Sequence, residues 1–503
     1  MTTNTLFDAL LAPHRARKTP FLHLSEPGSP AEVSFEDFLA QAARLAHVLV
    51  ASGVTPGDRV LVQAPKRSEM LALYAAAIQA GAVFLPLNTA YRLDEVSYFI
   101  ADAAPKLVVC TSDMADALRP LAEAEGGTVL TLNADGSGTL AERMQGQPDS
   151  FDTVPRGPDD LAALLYTSGT TGRSKGAMLT HDNLLSNTRA LVDLWRITSD
   201  DRLIHALPIF HTHGLFVAMN TFLLAGGQVR FLNGFDLDAI LDAMPESTVL
   251  MGVPTFYTRL LGDARLTAER AANMRLFISG SAPLLAETHT AFSARTGHQI
   301  LERYGMTETN MTTSNPYEGA RKPGTVGHPL PGVEIRLTDP ESGAPVPQGS
   351  VGMVEVRGPN VFKGYWQMPE KTAEEMREDG FFITGDLGQL DAEGYLSIVG
   401  RQKDLIITGG LNVYPKEIED VLNAVPGVAE SAVYGVPDPD FGERIIADVV
   451  PRPDAQVTED ALQAAAATLA RFKHPKVYRI VEALPRNTMG KVQKNVLRTS
   501  YKG

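Results

Sequence analysis

An apolar run, Leu161 to Tyr166, opens directly into Thr167-Ser-Gly-Thr-Thr-Gly-Arg-Ser-Lys-Gly176. The run reads as a buried strand. The loop after it combines glycines that let backbone N–H groups come close to a ligand, hydroxyls that donate, and the cations Arg173 and Lys175. That composition suits the wrapping of a polyphosphate. The loop is not of the Walker type, which requires Gly-Lys-Ser/Thr, because Ser174 stands before Lys175. It is a phosphate loop in kind, and the remaining chain has to supply the scaffold that presents it.

The flanking sequence has the rhythm of such a scaffold. Phe35, Phe38, Leu39, Ala42, Leu45, Ala46 and Leu49 recur at helical spacing and stop before Gly53. Asp58 to Gln63 reads as a strand, Ser68 to Ala80 as a helix closed by Gly81, and Ala82 to Leu87 as another strand. Lys106 to Cys110 and Thr128 to Leu132 repeat the pattern. This βαβ order predicts a parallel sheet covered by helices on both faces. Beyond the loop, Asn183 to Val192 reads as a helix. Leu250–Leu261, Met274–Leu285 and Ile300–Asn310 each read as strand, marked turn and following helix, and ligands of open α/β sheets gather at such turns. From about Pro340 the texture becomes β-rich with many glycines. A segment from Lys403 to Gly503 has its own pattern: a helix at Ile418, Val421 and Leu422, strands at Val428–Val436 and Ile445–Val450, a helix at Glu459–Phe472 and a strand at Val477–Val481. The expected class is α/β, with a large N-terminal domain (1–402) of layered βαβ subdomains plus a β-rich part, and a small α+β C-terminal domain (403–503).

Charge and cysteine content narrow the function. The net charge of −14, from 45 basic against 59 acidic residues, disfavours nucleic acid and anionic membrane as partners, so an anionic ligand has to meet a local basic pocket. Cys110 is the single cysteine. An internal disulfide is therefore impossible, and its apolar surroundings suggest a buried strand residue in a reducing compartment rather than a nucleophile. With no basic-then-apolar leader and no apolar run of about 18 residues, a cytoplasmic protein is expected. His205, His211 and His213 lie near one another, but without an adjacent Cys, Asp or Glu they read as something other than a metal site.

YTSGTTGRSKG resembles, nearly letter for letter, the signature loop of the adenylate-forming enzymes, the superfamily of acyl-CoA synthetases, peptide-synthetase adenylation domains and luciferases. Tyr304-Gly-Met-Thr-Glu308, Ile383-Thr-Gly-Asp386, Gly400-Arg-Gln-Lys403 and Pro485-Arg-Asn-Thr-Met-Gly-Lys491 resemble its later motifs, in the expected order. The resemblance implies that Thr167, Ser168, Gly169, Thr170, Thr171, Gly172 and Lys175 bind ATP, that Tyr304 lies by adenine, that Thr307 contacts phosphate and that Glu308 holds Mg²⁺. It places Asp386 and Arg401 on the ribose, Lys403 at a hinge that makes the small domain mobile, and Lys491 as the lysine of the first half-reaction. Gly409 and Gly410 would line the path of CoA, with Lys416 and Lys473 as weaker candidates for its phosphates, and His211 and Ser279 would face the acyl substrate. The implied chemistry is attack of a carboxylate on the α-phosphorus of ATP to give acyl-AMP and pyrophosphate. Rotation about Lys403 and attack by the CoA thiol would come next. Related synthetases are controlled by acetylation of the matching lysine, so a protein lysine acetyltransferase and deacetylase are implied at Lys491.

The acid is addressed by two arginines. Arg259 in Val253-Pro-Thr-Phe-Tyr-Thr-Arg259, and Arg303 directly before Tyr304, stand on elements expected to converge at the acyl pocket. Together they suggest a clamp for a second carboxylate, and VPTFYTRLL with ERYGMTET resembles the malonyl-CoA synthetases. Malonate is the expected acid, with methylmalonate, oxalate or a short monocarboxylate as alternatives. An adenylation enzyme loading a carrier-protein thiol and a non-catalytic nucleotide sensor are the readings from other classes.

Overall fold

The structure, a computed structural model, describes residues 3–25, 29–167, 174–487 and 490–501. The chain divides into two compact units, Met1–Glu334 with Val356–Phe382, and Ile335–Glu355 with Ile383–Gly503.

Two sheets organise the first unit. Among the described residues, one has six strands in the order Thr128–Thr131, Leu107–Cys110, Arg59–Gln63, Val83–Pro86, Leu161–Thr167, Lys175–Thr180. All are parallel except the last, which turns back antiparallel along Leu161–Thr167. Helix Ser68–Ala80 joins two of these strands and is buried along almost its whole length, as its run of Ala, Leu, Met and Ile on all sides requires, with Gln79 buried among them. It ends where Gly81 adopts φ 72°, a conformation open to glycine at little cost. Helix Phe35–Ala51 packs against it, its first turn capped by Ser34 Oγ, which accepts the Asp37 N–H at 3.0 Å. Cys110 is fully buried in its strand, and burial pushes its thiol up to about 11, which fits an inert strand residue.

The second sheet has nine strands among the described residues, ordered His328–Pro329, Asn310–Ser314, Leu301–Met306, Leu276–Ser279, Val249–Gly252, Arg202–His205, Gln228–Phe231, Pro20–Leu24, Glu32–Ser34. The central strands from Leu301–Met306 to Pro20–Leu24 run parallel. Their carboxyl ends lead into 206–213, 253–254, 280–281 and 304–308. Two of the three expected strand–turn–helix repeats are found, with helices Pro254–Leu261 and Ala286–Thr296. The third is corrected: Leu301–Met306 is followed by the antiparallel strand Asn310–Ser314. The reversal is made by 307–309, with Asn310 at φ 48°, and the Thr-rich stretch beyond favours extended backbone. Gly305 is required there, since a Cβ would collide with the Asn310 carbonyl.

In the second unit, strands Leu411–Val413, Ile406–Thr408, Gly442–Pro451 and Val428–Asp438 form a sheet in that order, with Val477–Ile480 added in parallel to Gly442–Pro451. Ile406, Val413, Ile418, Leu422, Val433, Ile445 and Val449 form its core. Fully buried Asp448 is gripped by Arg479 through Nε at 2.6 Å and Nη2 at 2.5 Å. The helix expected over Glu459–Phe472 stops at Ala466, and the basic tail contains a helix, Lys494–Ser500, anchored by buried Leu497. Among the described residues no helix is long and apolar enough to cross a membrane.

Candidate active site

The phosphate loop begins where the strand Leu161–Thr167 ends. Ser168, Gly169, Thr170, Thr171 and Gly172 lie outside the described residues. At the loop's edges, Thr167 stands opposite Lys175 in the antiparallel pair, and Ser174 O accepts from Tyr98 Oη at 2.9 Å. The Lys175 ammonium is 3.0 Å from Glu375 Oε1 and 4.0 Å from the centre of the Tyr365 ring. Tyr365 Oη is 2.6 Å from Glu375 Oε2 and 3.1 Å from Glu308 Oε1. Burial, then the charge of Glu308, raises the Tyr365 phenol far above its ordinary value, so it stays protonated. Glu308 is buried on the turn 307–309, with Thr307 half-buried beside it and Tyr304 half-buried on the preceding strand. Two anions, a cation and a neutral phenol are thus in hydrogen-bond contact.

Around Arg303 the balance differs. Arg303 is 3% exposed, and its Nε and Nη2 have no hydrogen-bond partner among the described residues. Among the described residues, no carboxylate is found acting on it. Burial lowers its pKa, with the Tyr257 phenol the one opposing influence. A guanidinium cannot readily shed its proton, so the cost stays in the fold as a buried, uncompensated charge. Burial first, then Arg303, holds His211 at about 4 and His213 well below the ordinary histidine value, so both rings are neutral. His213 N–H donates to His211 Nδ1 at 3.2 Å, and Ser281 Oγ lies 3.3 Å from His213 Nδ1. His213 Nε2, Thr212 Oγ1 and Ser279 Oγ are buried polar atoms without a partner among the described residues. Gly280 is pressed against the guanidinium, and a Cβ there would lie 2.6 Å from Arg303 Nε. Arg259 is placed differently: it is exposed near the end of helix Pro254–Leu261, 5.0 Å over the Phe235 ring.

The remaining candidates lie in the second unit. Asp386 and Arg401 face each other across the antiparallel pair Phe382–Leu390 and Leu396–Arg401, with Arg401 Nε 2.6 Å from Asp386 Oδ1. This is an ion pair by distance rather than an aligned hydrogen bond. Lys491 is brought close to the same pair and to Lys403. Crowding by protein, then Arg401 and Lys403, lowers its ammonium to about 8, against the pull of Asp386. By surface area Lys491 is exposed, so water screens these influences and the lowering carries no stability of its own. Its N–H donates to Asn487 Oδ1 at 2.9 Å. Lys403 is also exposed, and lowered by desolvation first. Gly409 and Gly410 form the turn between Ile406–Thr408 and Leu411–Val413, at φ 58° and 76°. Exposed Ile407, Leu411 and Phe441 surround that turn. Lys416 is paired with Asp420 at 2.7 Å and Lys473 with Glu417 at 2.5 Å.

Sequence reasoning missed Tyr257, Tyr365 and Glu375. Glu375 pairs in sequence only with Lys371, a spacing common on solvated helices, and the chemistry of Tyr365 and Glu375 exists only once 175, 308, 365 and 375 are brought together.

Comparison with known proteins fits this arrangement. Residues 12–366 match the AMP-binding enzyme family and residues 417–491 the AMP-binding enzyme C-terminal domain. The structure is similar to ATP-bound MatB from Rhodopseudomonas palustris, with TM-score 0.96 and 57% identity over 100% of this chain and 99% of that one. Among characterised relatives, a feruloyl-CoA synthase from Amycolatopsis sp is 38% identical over 97% of both chains. A malonate–CoA ligase from Arabidopsis thaliana is 37% identical over 89% of this chain and 79% of its own length. The chain belongs to the AMP-binding enzyme family, and it is an AMP-forming acyl-CoA ligase.

Proposed function

We propose that this ligase takes a small dicarboxylic acid, malonate first among them, and makes malonyl-CoA from malonate, ATP and CoA through malonyl-AMP, releasing AMP and pyrophosphate. The observation that carries this reading is Arg303: a buried guanidinium that, among the described residues, has two nitrogens without a hydrogen-bond partner and no carboxylate acting on it. A fold bears such a charge where a ligand completes it. A second carboxylate supplies that complement, and a monocarboxylate does not. The malonate–CoA ligase relative agrees; a feruloyl-CoA synthase stands at similar identity, so the acid is argued from Arg303 rather than from kinship. Arg259, exposed, is the weaker half of the suggested clamp.

In this reading Thr167, Lys175 and Thr307 take the phosphates, Tyr304 the adenine, and Asp386 with Arg401 the ribose. Glu308 fits Mg²⁺, being one buried carboxylate that shares the ion with phosphate oxygens, and the ion would offset phosphate charge when bound. Lys491 holds the substrate carboxylate and the α-phosphate oxygens together, two anions that otherwise repel. Residues beyond Lys403 swivel after adenylation and withdraw it, and Gly409 and Gly410 leave room for pantetheine. Exposed Lys491 is also open to a lysine acetyltransferase, which would remove the charge that the first step needs.

Pyrophosphate release across mono- and dicarboxylic acids, with and without CoA, tests the proposal. Malonate should give the highest kcat/KM and malonyl-CoA as product. Preference for propionate or ferulate would overturn it, as would turnover on a carrier-protein thiol but not on CoA.

A further inference from the structure

Three segments distant in sequence meet behind Lys175. Residues 363–366 run along the strand Lys175–Thr180, Lys363 N–H donating to Met178 O at 2.9 Å and Trp366 N–H to Gly176 O at 2.7 Å, with Tyr365 opposite Ala177. Phe362 N–H donates to Glu308 O at 2.7 Å, so the same segment is fastened to the turn bearing Glu308. Tyr365 N–H donates to Thr372 Oγ1 at 2.9 Å on helix Pro369–Glu375, whose last residue is Glu375. The Tyr365 ring is therefore fixed by backbone on one side and by this helix on the other.

Its ring and hydroxyl serve different neighbours. The ring face carries the Lys175 ammonium, while the hydroxyl lies 2.6 Å from Glu375 Oε2 and 3.1 Å from Glu308 Oε1. A phenol has one proton to donate, and the 2.6 Å contact marks Glu375 as its acceptor. The other Glu375 oxygen holds Lys175, and Lys371 Nζ stands 3.1 Å from that same oxygen. With the Lys175 and Glu375 side chains 16% and 23% exposed, the pair is only partly screened by water. An ammonium so held spends one donor and the ring face on the protein and keeps its other donors for a ligand.

We propose that Glu375 and Tyr365 are positioning residues for the triphosphate: Glu375 fixes the Lys175 ammonium over the Tyr365 ring, and the Tyr365 hydroxyl donates to Glu375 and steadies that carboxylate, so the loop cation is set in place before the nucleotide binds. This rests on the proposed function, in which Lys175 and Glu308 serve the phosphates. Flexible lysines bind phosphate at an entropic cost, and a fixed one has met that cost before the nucleotide arrives.

Equilibrium binding of Mg²⁺-ATP and of AMP to the full-length protein, by titration calorimetry, tests it. Lys175→Ala should weaken ATP while leaving AMP, which lacks the outer phosphates, within about twofold. Glu375→Gln should weaken ATP about tenfold, the scale of one charge-assisted contact, again sparing AMP. Lys175→Ala with Glu375→Gln should bind ATP no worse than Lys175→Ala alone, because the two act through one contact. Tyr365→Phe keeps the ring and removes only the hydrogen bond that steadies Glu375, so it should weaken ATP less than Glu375→Gln does and also spare AMP. If Lys175→Ala leaves ATP affinity unchanged, the phosphate reading of Lys175 falls, and the inference with it. If Lys175→Ala weakens ATP but Glu375→Gln does not, or weakens AMP equally, the inference is overturned and the phosphate reading stands.

Discussion

Replacing Arg303 with methionine removes the charge and keeps most of the volume, and the structure sets two opposite consequences. In catalysis, the Nε and Nη2 hydrogens that have no partner in the fold would each form a charge-assisted bond to the second carboxylate of malonate. Breaking one side of such a buried pair costs about 2–5 kcal/mol, or a roughly 30-fold to several-thousand-fold fall in kcat/KM for malonate. ATP affinity should hold, since the guanidinium interacts with His211, His213 and Tyr257 rather than with the Lys175 cluster. In stability, burial lowers the pKa of Arg303 with no anion to offset it, so the wild-type fold carries an unpaired cation at neutral pH. Arg303→Met should therefore melt at the same temperature as the wild type or higher, although the residue is 3% exposed and charged core positions usually tolerate little change. The assay is kcat/KM for malonate and for propionate, ATP binding, and a thermal melt, on both proteins. A parallel fall for both acids, or a clear loss of melting temperature, would refute the reasoning and make Arg303 a structural residue.

Gly280→Ala should impair malonate at least about tenfold and leave ATP binding alone, because the new methyl needs the space of the guanidinium; unchanged malonate kinetics would show that Arg303 has room to shift. Arg259→Ala should cost less than Arg303→Met, since an exposed guanidinium is screened by water, and kcat/KM for malonate compares them. His181 and His211 are lowered to about 4, and His205 and His213 are lowered as well, chiefly by burial. The unfolded chain takes up these protons near 6.5 and the fold does not, so stability is full above that pH and drains as pH falls towards 4, by about 1.4 kcal/mol per unit for each group. Melting temperature against pH should show this slope, less steep in His181→Gln. Lys491→Ala should abolish acyl-adenylate formation yet retain thioester formation from supplied acyl-AMP, and acetylation at Lys491, verified by mass spectrometry, should have the same effect; equal loss of both half-reactions would remove its assigned role.

Legibility in the sequence tracked how local the physics was. Ser68–Ala80 could be read because its alanine-rich run and closing glycine specify a helix without reference to the rest of the chain. The strand Asn310–Ser314 could not, since Met-Thr-Thr-Ser has no apolar period and its partner strand decides its state. The helix Lys494–Ser500 was hidden likewise, because one buried leucine in a basic stretch is a weak signal. Arg303 was visible in the sequence as an arginine directly before the Tyr304 motif, and the structure buries it. That its guanidinium has no anion beside it, and that Gly280 makes the space it fills, are facts of packing. His213 was read from the sequence as part of a histidine group that is not a metal site; its place beside Arg303 came from the fold.

The reversal at Asn310 also bears on how this protein could change its diet over generations. Arg303, the residue proposed to read the acid, and Glu308, beside the phosphate loop's lysine network, sit on one short hairpin whose bend admits only glycine at 305. Mutations that slide the hairpin to suit a longer or shorter acid would displace the machinery of nucleotide activation at the same stroke. Variation at 279–281, arriving from the neighbouring strand, can reshape the acid's surroundings while the hairpin stays still. Shifts of substrate preference in this lineage, and attempts to engineer them, should therefore accumulate at those neighbouring residues before they touch the hairpin frame.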